Sequence, residues 1–113
     1  MDNKARGKYG EDLAVSFLEE KGFEILERNY RHGHGEIDMI GLLKNELLVF
    51  FEVKIRKSDR YGEPETFVSY AQQKLIIKTA EHYIYAINWH KDIRFDIVSI
   101  QGKNIYHIED AFY

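Results

Sequence analysis

The chain has 113 residues, of which 44% are hydrophobic, and it carries a formal net charge of −3. This size suits a single domain, residues 1–113, with a core of its own, and the mild negative charge gives no global attraction to nucleic acid. The absence of cysteine excludes disulfides and thiolate metal sites. Because no apolar segment approaches the length of a membrane span and the N-terminus has no apolar signal region, we expect a soluble cytoplasmic protein without a membrane partner.

The pattern of apolar and turn-forming residues predicts seven elements in the order α-β-β-β-α-β-β. They are a helix over the first 21 residues, a strand from Phe23 to Arg31, a hairpin from Glu36 to Arg56, a helix from Ser69 to roughly Tyr85, and strands from Ile93 to Ile100 and from Ile105 to Ile108. Gly22 is a typical helix stop, and Ser69 with Gln72 three residues later is typical of a capping box. We therefore expect an α/β fold with a mixed five-stranded sheet flanked by helices.

Two carboxylates and a lysine lie on the predicted hairpin. Strand side chains alternate between faces. The alternation assigns Glu36, Asp38 and Ile40 to one face of the first strand, and Ile37, Met39 and Gly41 to the other. If the hairpin loop has three or five residues, Asp38 lies directly opposite Glu52, with Lys54 two positions further along the same face. Such a cluster beside an apolar surface is costly to bury without a partner, and a divalent cation would be that partner.

The residue types of this cluster fit phosphodiester hydrolysis. Mg²⁺ commonly binds one or two carboxylates together with waters and phosphates, and it can generate hydroxide near neutral pH. A nearby ammonium such as that of Lys54 can stabilise phosphate charge or orient water. Acyl transfer fits poorly because no serine or cysteine nucleophile accompanies a placed histidine, and glycoside hydrolysis leaves the lysine unexplained. The simpler alternative for Glu52-Val53-Lys54 is an exposed strand face with alternating charges.

Two further polar residues lie beside the apolar stripes of the helices. Glu11 borders the stripe of the first helix, and Gln73 occupies the N-terminal end of the stripe that continues through Ile76 and Ala80. Periodicity alone favours a solvent-exposed side chain for Glu11, and an exposed first-turn glutamine is the simpler alternative for Gln73. The functional hypothesis places both where the helices meet the sheet.

Basic residues follow the carboxylates directly and produce a local excess of positive charge. They are Arg56, Lys57 and Arg60, and Lys8 belongs to a second basic cluster near the N-terminus. Runs of charge are most often solvated surface. Their position also suits contacts with backbone phosphates, so we consider them candidate nucleic-acid-binding residues.

Several segments resemble the YraN-like family of small bacterial proteins, and together they cover nearly the whole chain. They are Gly10-Glu11 with Ala14, Asn29-Tyr30-Arg31, Gly35-Glu36-Ile37-Asp38, Phe51-Glu52-Val53-Lys54-Ile55-Arg56, Tyr61-Gly62-Glu63-Pro64, Gln73 and Arg94-Phe95-Asp96-Ile97-Val98. That family belongs to the restriction-endonuclease-like superfamily, which is named for its PD-(D/E)xK signature. The resemblance therefore implies a restriction-endonuclease-like fold.

The resemblance also implies roles for individual residues. The catalytic set would be Asp38, Glu52, Lys54, Glu11 and Gln73, much as in archaeal Holliday-junction resolvases of the same superfamily. The metal, Mg²⁺ or Mn²⁺, would be bound by Asp38, Glu52 and the backbone carbonyl of Val53, with Glu11 as a further candidate ligand. One departure from the family pattern is Gln72, which stands where a basic residue is expected.

These observations predict a metal-dependent nuclease that acts on DNA, with branched or otherwise unusual structures as candidate substrates. The alternative is a non-catalytic nucleic-acid-binding or adaptor module that retains the nuclease fold, and a protein-binding domain is a third hypothesis. The intact Asp38, Glu52 and Lys54 favour catalysis. Nucleic acid, with DNA favoured over RNA, is the expected partner, and a homodimer is compatible with the sequence.

Overall fold

The computed structural model describes residues 3–56 and 68–113, with side chains described from residue 8 onwards. The elements are α1 (Asn3–Glu20), β1 (Phe23–His32), β2 (Gly35–Leu43), β3 (Leu47–Arg56), α2 (Tyr70–Ile87), β4 (Asp92–Gln101) and β5 (Asn104–Ile108). This order and the α/β class confirm the prediction from sequence. Within these ranges, neither helix is both long and apolar enough to cross a bilayer.

The five strands form one mixed sheet in the order β1-β2-β3-β4-β5. The pairs β1–β2, β2–β3 and β4–β5 are antiparallel, whereas β3 and β4 are parallel. Parallel neighbours require a crossover connection, and α2 lies in that connection between β3 and β4. The antiparallel hairpins explain why the sheet order follows the chain order.

Each helix covers one face of the sheet through an apolar cluster. The cluster under α2 contains Ile37, Ile40, Leu48, Phe50, Phe95 and Ile97 from the strands with Ile76, Ala80 and Tyr83 from the helix. The cluster under α1 contains Phe23, Met39, Val49, Phe51, Val98 and Ile100 with Ala14 and Leu18. Full burial of such side chains contributes about 1.5–3 kcal/mol each. The two clusters therefore fix both helices on the sheet and define its α1 face and its α2 face.

The alternation of side chains along β2 breaks near Asp38. Ile37 and Ile40 both pack in the cluster on the α2 face, whereas Met39 packs on the α1 face. The prediction that Ile37 and Met39 share a face was therefore wrong. Strict alternation holds only for a regular strand, and the partner strand β1 has a residue with positive φ, Asn29, at this level.

Candidate functional site

Two carboxylates meet where the strands of the hairpin separate. The three-residue loop sets a register in which the last backbone pair before the separation is Met39 and Phe51. The next level holds Asp38 and Glu52, as the sequence predicted for a loop of this length. Here the backbone N–H of Val53 donates to Asp38 Oδ2 at 2.7 Å. Asp38 thus takes the place of a main-chain partner at the end of the β2–β3 ladder.

The half-buried carboxylate pair has raised pKa values, which favour retention of a proton at neutral pH. Burial raises the pKa of Glu52 to about 8, and the negative charge of Asp38 adds to this shift. Burial also raises the pKa of Asp38 to about 6, although the hydrogen bond from Val53 opposes the change. The direct interaction between the two carboxyl groups raises the pKa of Glu52 further and lowers that of Asp38. Two acids that share a proton at neutral pH can exchange it for a divalent cation, because the cation also removes the repulsion between them.

Lys54 and the carbonyl of Val53 lie next to this pair. The ammonium Nζ of Lys54 is 3.9 Å from Glu52 Oε1, and its charge lowers the pKa of Glu52 against the effect of burial. The N–H and C=O of one strand residue point to the same side of the strand. Since the N–H of Val53 faces Asp38, the carbonyl of Val53 is expected on the same side of β3, toward β2. Lys54 therefore lies beside Glu52 as predicted, and the roles of Lys54 and of the Val53 carbonyl stay predictions.

The glutamine that contacts the pair is Gln72. Its side-chain amide donates to Glu52 Oε1 at 3.1 Å. Gln73 instead donates to the carbonyl oxygen of Val68 at 2.8 Å. The contact that we expected from Gln73 is thus made by its neighbour, and a catalytic role for Gln73 stays a prediction without a described contact to Glu52. Ser69 accepts from the N–H of Gln72 as an N-cap, so only this half of the predicted capping box is described.

Helix packing explains why Gln72, and not Gln73, contacts Glu52. Thr79 is buried on the sheet side of α2, 2% exposed, because it packs against Gly35, where any side chain would collide with its hydroxyl. Gln72, Ile76, Thr79 and Tyr83 follow one another at intervals of four, three and four residues, which is the spacing of one helix face. Counting Thr79 as an inward residue would have identified Gln72 from sequence.

Glu11 approaches the pair from α1 without joining it. Its Oε1 accepts from the side-chain amide of Asn29 at 3.1 Å and lies 3.8 Å from the guanidinium of Arg28. The negative charge of Glu11 raises the pKa of Asp38, so the two carboxylates are within electrostatic range. In residues 3–56 and 68–113, no three Asp, Glu or His side chains converge closely enough to hold a metal ion. Among the described side chains, the candidate metal ligands that lie together are therefore two, Asp38 and Glu52.

The candidate nucleic-acid-binding residues are only partly described. Arg56 ends β3 and is exposed, and by alternation it shares the face of Glu52 and Lys54. Lys8 is exposed on α1 and forms an ion pair of 3.4 Å with Asp12. Lys57 and Arg60 lie outside the described residues.

Comparison with known proteins places the chain among close relatives. The family model described as "Uncharacterised protein family UPF0102" matches residues 10–100. The chain is 46% identical over 112 residues to a UPF0102 protein of Cytophaga hutchinsonii, with 98% of each chain covered. It is 45% identical over 107 residues to one of Thermodesulfovibrio yellowstonii, with 95% of each covered. A relative in Clostridioides difficile is 43% identical over 115 residues, covering 99% of this chain and 100% of that one.

Proposed function

Since this chain belongs to the UPF0102 family, whose description names no activity, we propose from its own side chains that it is a metal-dependent nuclease that hydrolyses phosphodiester bonds in DNA. The observation that carries the proposal is the half-buried Asp38–Glu52 pair at the end of the β2–β3 ladder, with Lys54 beside it. This order of Asp, Glu and Lys resembles the signature of the PD-(D/E)xK nucleases. Branched or otherwise unusual DNA is the proposed substrate class.

Mg²⁺ or Mn²⁺ fits the groups that converge here. Asp38, Glu52 and the carbonyl of Val53 would hold the ion, and these oxygen ligands suit hard cations that also keep several waters. Burial raises the pKa of both carboxyl groups, and the charge of Asp38 adds to the shift of Glu52; a bound cation would favour the ionised forms. When bound, the ion would polarise a phosphoryl oxygen and make hydroxide available near neutral pH.

The protein's own groups prearrange the site. The N–H of Val53 orients the carboxylate of Asp38, and the amide of Gln72 orients that of Glu52. Both donors belong to regular elements, β3 and α2, which hold functional groups more rigidly than loops do. The ammonium of Lys54 places a positive charge where a phosphate would bind next to the carboxylates. Arg56, Lys57, Arg60 and Lys8 are the proposed contacts with the DNA backbone.

The proposal is tested by cleavage of a DNA panel containing duplex, single-stranded, flapped and four-way substrates. We expect the wild type to cleave at least one of them with Mg²⁺ or Mn²⁺ and none with EDTA. Asp38→Asn, Glu52→Gln and Lys54→Ala should each abolish cleavage while circular dichroism shows a folded protein. Glu46→Gln is the matched control, because Glu46 is an exposed glutamate at the opposite end of the same hairpin.

Two negative outcomes have different meanings. If the folded, metal-loaded protein cleaves nothing yet binds the panel with a salt-sensitive affinity, the non-catalytic binding module replaces the nuclease. If it neither cleaves nor binds, both nucleic-acid hypotheses fail and a protein partner becomes the better hypothesis.

A further inference from the structure

Asn29 has an unusual backbone conformation at the level of the candidate site. Its φ is +54°, in the left-handed region that asparagine enters more readily than most residues. It lies between the β1–β2 pairs Arg28–Met39 and Tyr30–Ile37, and therefore opposite Asp38. A non-glycine residue with positive φ inside a strand indicates a local constraint.

The alternation of side chains between the two sheet faces breaks in β1 and in β2 at this same level. In a regular strand Arg28 and Tyr30 would share a face. Instead, the guanidinium of Arg28 donates to Asp12 on α1 at 2.8 Å, whereas the ring of Tyr30 packs 4.9 Å from that of Tyr83 on α2. Their partners Met39 and Ile37 divide between the same two faces. Asp38 lies between Ile37 and Met39. Its carboxylate accepts from the backbone of β3 and does not pack in the apolar cluster of either face.

The side chain of Asn29 connects this point to α1. Its amide donates to Glu11 Oε1 at 3.1 Å, and the side chain of Glu11 is 22% exposed. A glutamate at the margin of a helix stripe has the rotamer freedom to extend into solvent. The hydrogen bond from Asn29 opposes this and keeps the carboxylate of Glu11 on the side of Asp38.

We infer that Asn29 is a positioning residue of the candidate site: its left-handed backbone turns Asp38 toward Glu52, and its amide holds Glu11 beside them. The importance of this role for catalysis rests on the proposed function. The two structural roles of Asn29 do not depend on catalysis, so metal binding and spectroscopy can test them.

Asn29→Gly separates the two contributions, because glycine adopts positive φ without strain but removes the amide. Asn45→Gly is the matched control: Asn45 has a φ of +57° in the hairpin turn, so the same substitution is made in the same backbone conformation away from the site. Glu11→Gln and the double variant Asn29→Gly/Glu11→Gln complete a mutant cycle. The measurements are Mn²⁺ affinity by calorimetry, the carboxyl ¹³C resonance of Glu11, and cleavage kinetics.

We expect Asn29→Gly to move the Glu11 resonance toward that of a solvated glutamate and to weaken Mn²⁺ binding about tenfold, as loss of a group that orients metal-site residues does. The double variant should bind Mn²⁺ no more weakly than Glu11→Gln alone, since the amide of Asn29 acts through the negative charge of Glu11, which that substitution removes. Asn45→Gly should match the wild type in both measurements. If the wild type cleaves DNA, Asn29→Gly should lower kcat while KM for DNA stays near its wild-type value.

Two results would overturn the inference. One is a wild-type Glu11 resonance and Mn²⁺ affinity in Asn29→Gly, and the other is a shifted resonance with unchanged affinity. A wild type that binds Mn²⁺ but cleaves nothing would instead reject the proposed function, and the mutant cycle would still decide the role of Asn29.

Discussion

The side-chain amide of Gln72 donates a hydrogen bond of 3.1 Å to Oε1 of Glu52. This bond joins the first turn of α2 to the strand that carries the Glu-x-Lys segment. It also lowers the pKa of Glu52 against the larger opposing effect of burial, because it favours the ionised carboxylate. Gln72 therefore supports the charge state that a metal ligand needs.

Replacing Gln72 by alanine should lower kcat/KM for metal-dependent cleavage by about tenfold, the effect of losing a hydrogen bond to a charged group. Gln73→Ala is the comparison variant, and we expect a smaller loss from it because the described hydrogen bond of its amide goes to the carbonyl of Val68 and not to Glu52. Gln72→Lys should retain more activity than Gln72→Ala, since an ammonium can also donate to Glu52. Equal losses in Gln72→Ala and Gln73→Ala would contradict this assignment.

Replacing Glu52 by glutamine should remove much of the pH dependence of stability in the metal-free protein. Burial and Asp38 raise the pKa of Glu52 from 4.5 to about 8, so the folded protein binds a proton that the unfolded chain has lost. The stability from this proton is complete below about pH 4.5 and is lost as the pH rises through about 8, by at most about 1.4 kcal/mol per pH unit.

Urea denaturation in EDTA at pH 5 and pH 8 measures this effect. The difference in the free energy of unfolding between Glu52→Gln and the wild type should favour the variant more strongly at pH 8. Glu46→Gln should keep the wild-type dependence, because that glutamate is exposed. A constant difference between Glu52→Gln and the wild type would argue against a protonated Asp38–Glu52 pair.

Metal binding should release a proton from the Asp38–Glu52 pair. The pair holds that proton up to about pH 8, and a bound cation requires both carboxylates in their ionised form. The affinity for Mn²⁺ should therefore rise by about tenfold per pH unit between pH 6 and pH 7.5, for one proton displaced. Calorimetry in two buffers of different ionisation enthalpy counts the released protons, and a count near zero would be inconsistent with this site.

Replacing Asp96 by asparagine should destabilise the fold by about 3–5 kcal/mol, as removal of one partner from a buried ion pair does. The Asp96 carboxylate is fully buried and accepts from Arg94 at 2.8 Å and from His107 at 2.7 Å. Burial alone would raise the pKa of Asp96, but these hydrogen bonds and the one from the N–H of Asp110 lower it. The stability from this carboxylate is therefore present above pH 3.8 and lost in more acidic solution.

Thermal denaturation of Asp96→Asn at pH 7 tests this expectation. Asp92→Asn, at an exposed position on the same strand, should change the stability by less than about 0.5 kcal/mol. Mn²⁺ affinity of the folded fraction should remain near that of the wild type, because Asp96 packs on the α1 face and Glu52 lies on the α2 face. A large loss of affinity would place Asp96 in the metal site instead.

The sequence by itself determined the element order and the level at which Asp38 and Glu52 meet. Both follow from local rules: apolar residues repeat with the period of each element, and the polar break Lys44-Asn45-Glu46 forms a loop of three residues. A loop of known length fixes a hairpin register. The local sequence of the hairpin therefore suffices to predict that Asp38 and Glu52 lie at the same level.

Only the tertiary structure decided which helix residue contacts Glu52 and how Asp38 is turned toward it. The rotation of α2 depends on Thr79 packing against Gly35, and the change of faces depends on Asn29 opposite Asp38. Each is a contact between different elements, so the period of one element alone does not reveal it. Packing selects one rotation and one local twist among several that the sequence pattern allows, because close-packed interiors tolerate few arrangements.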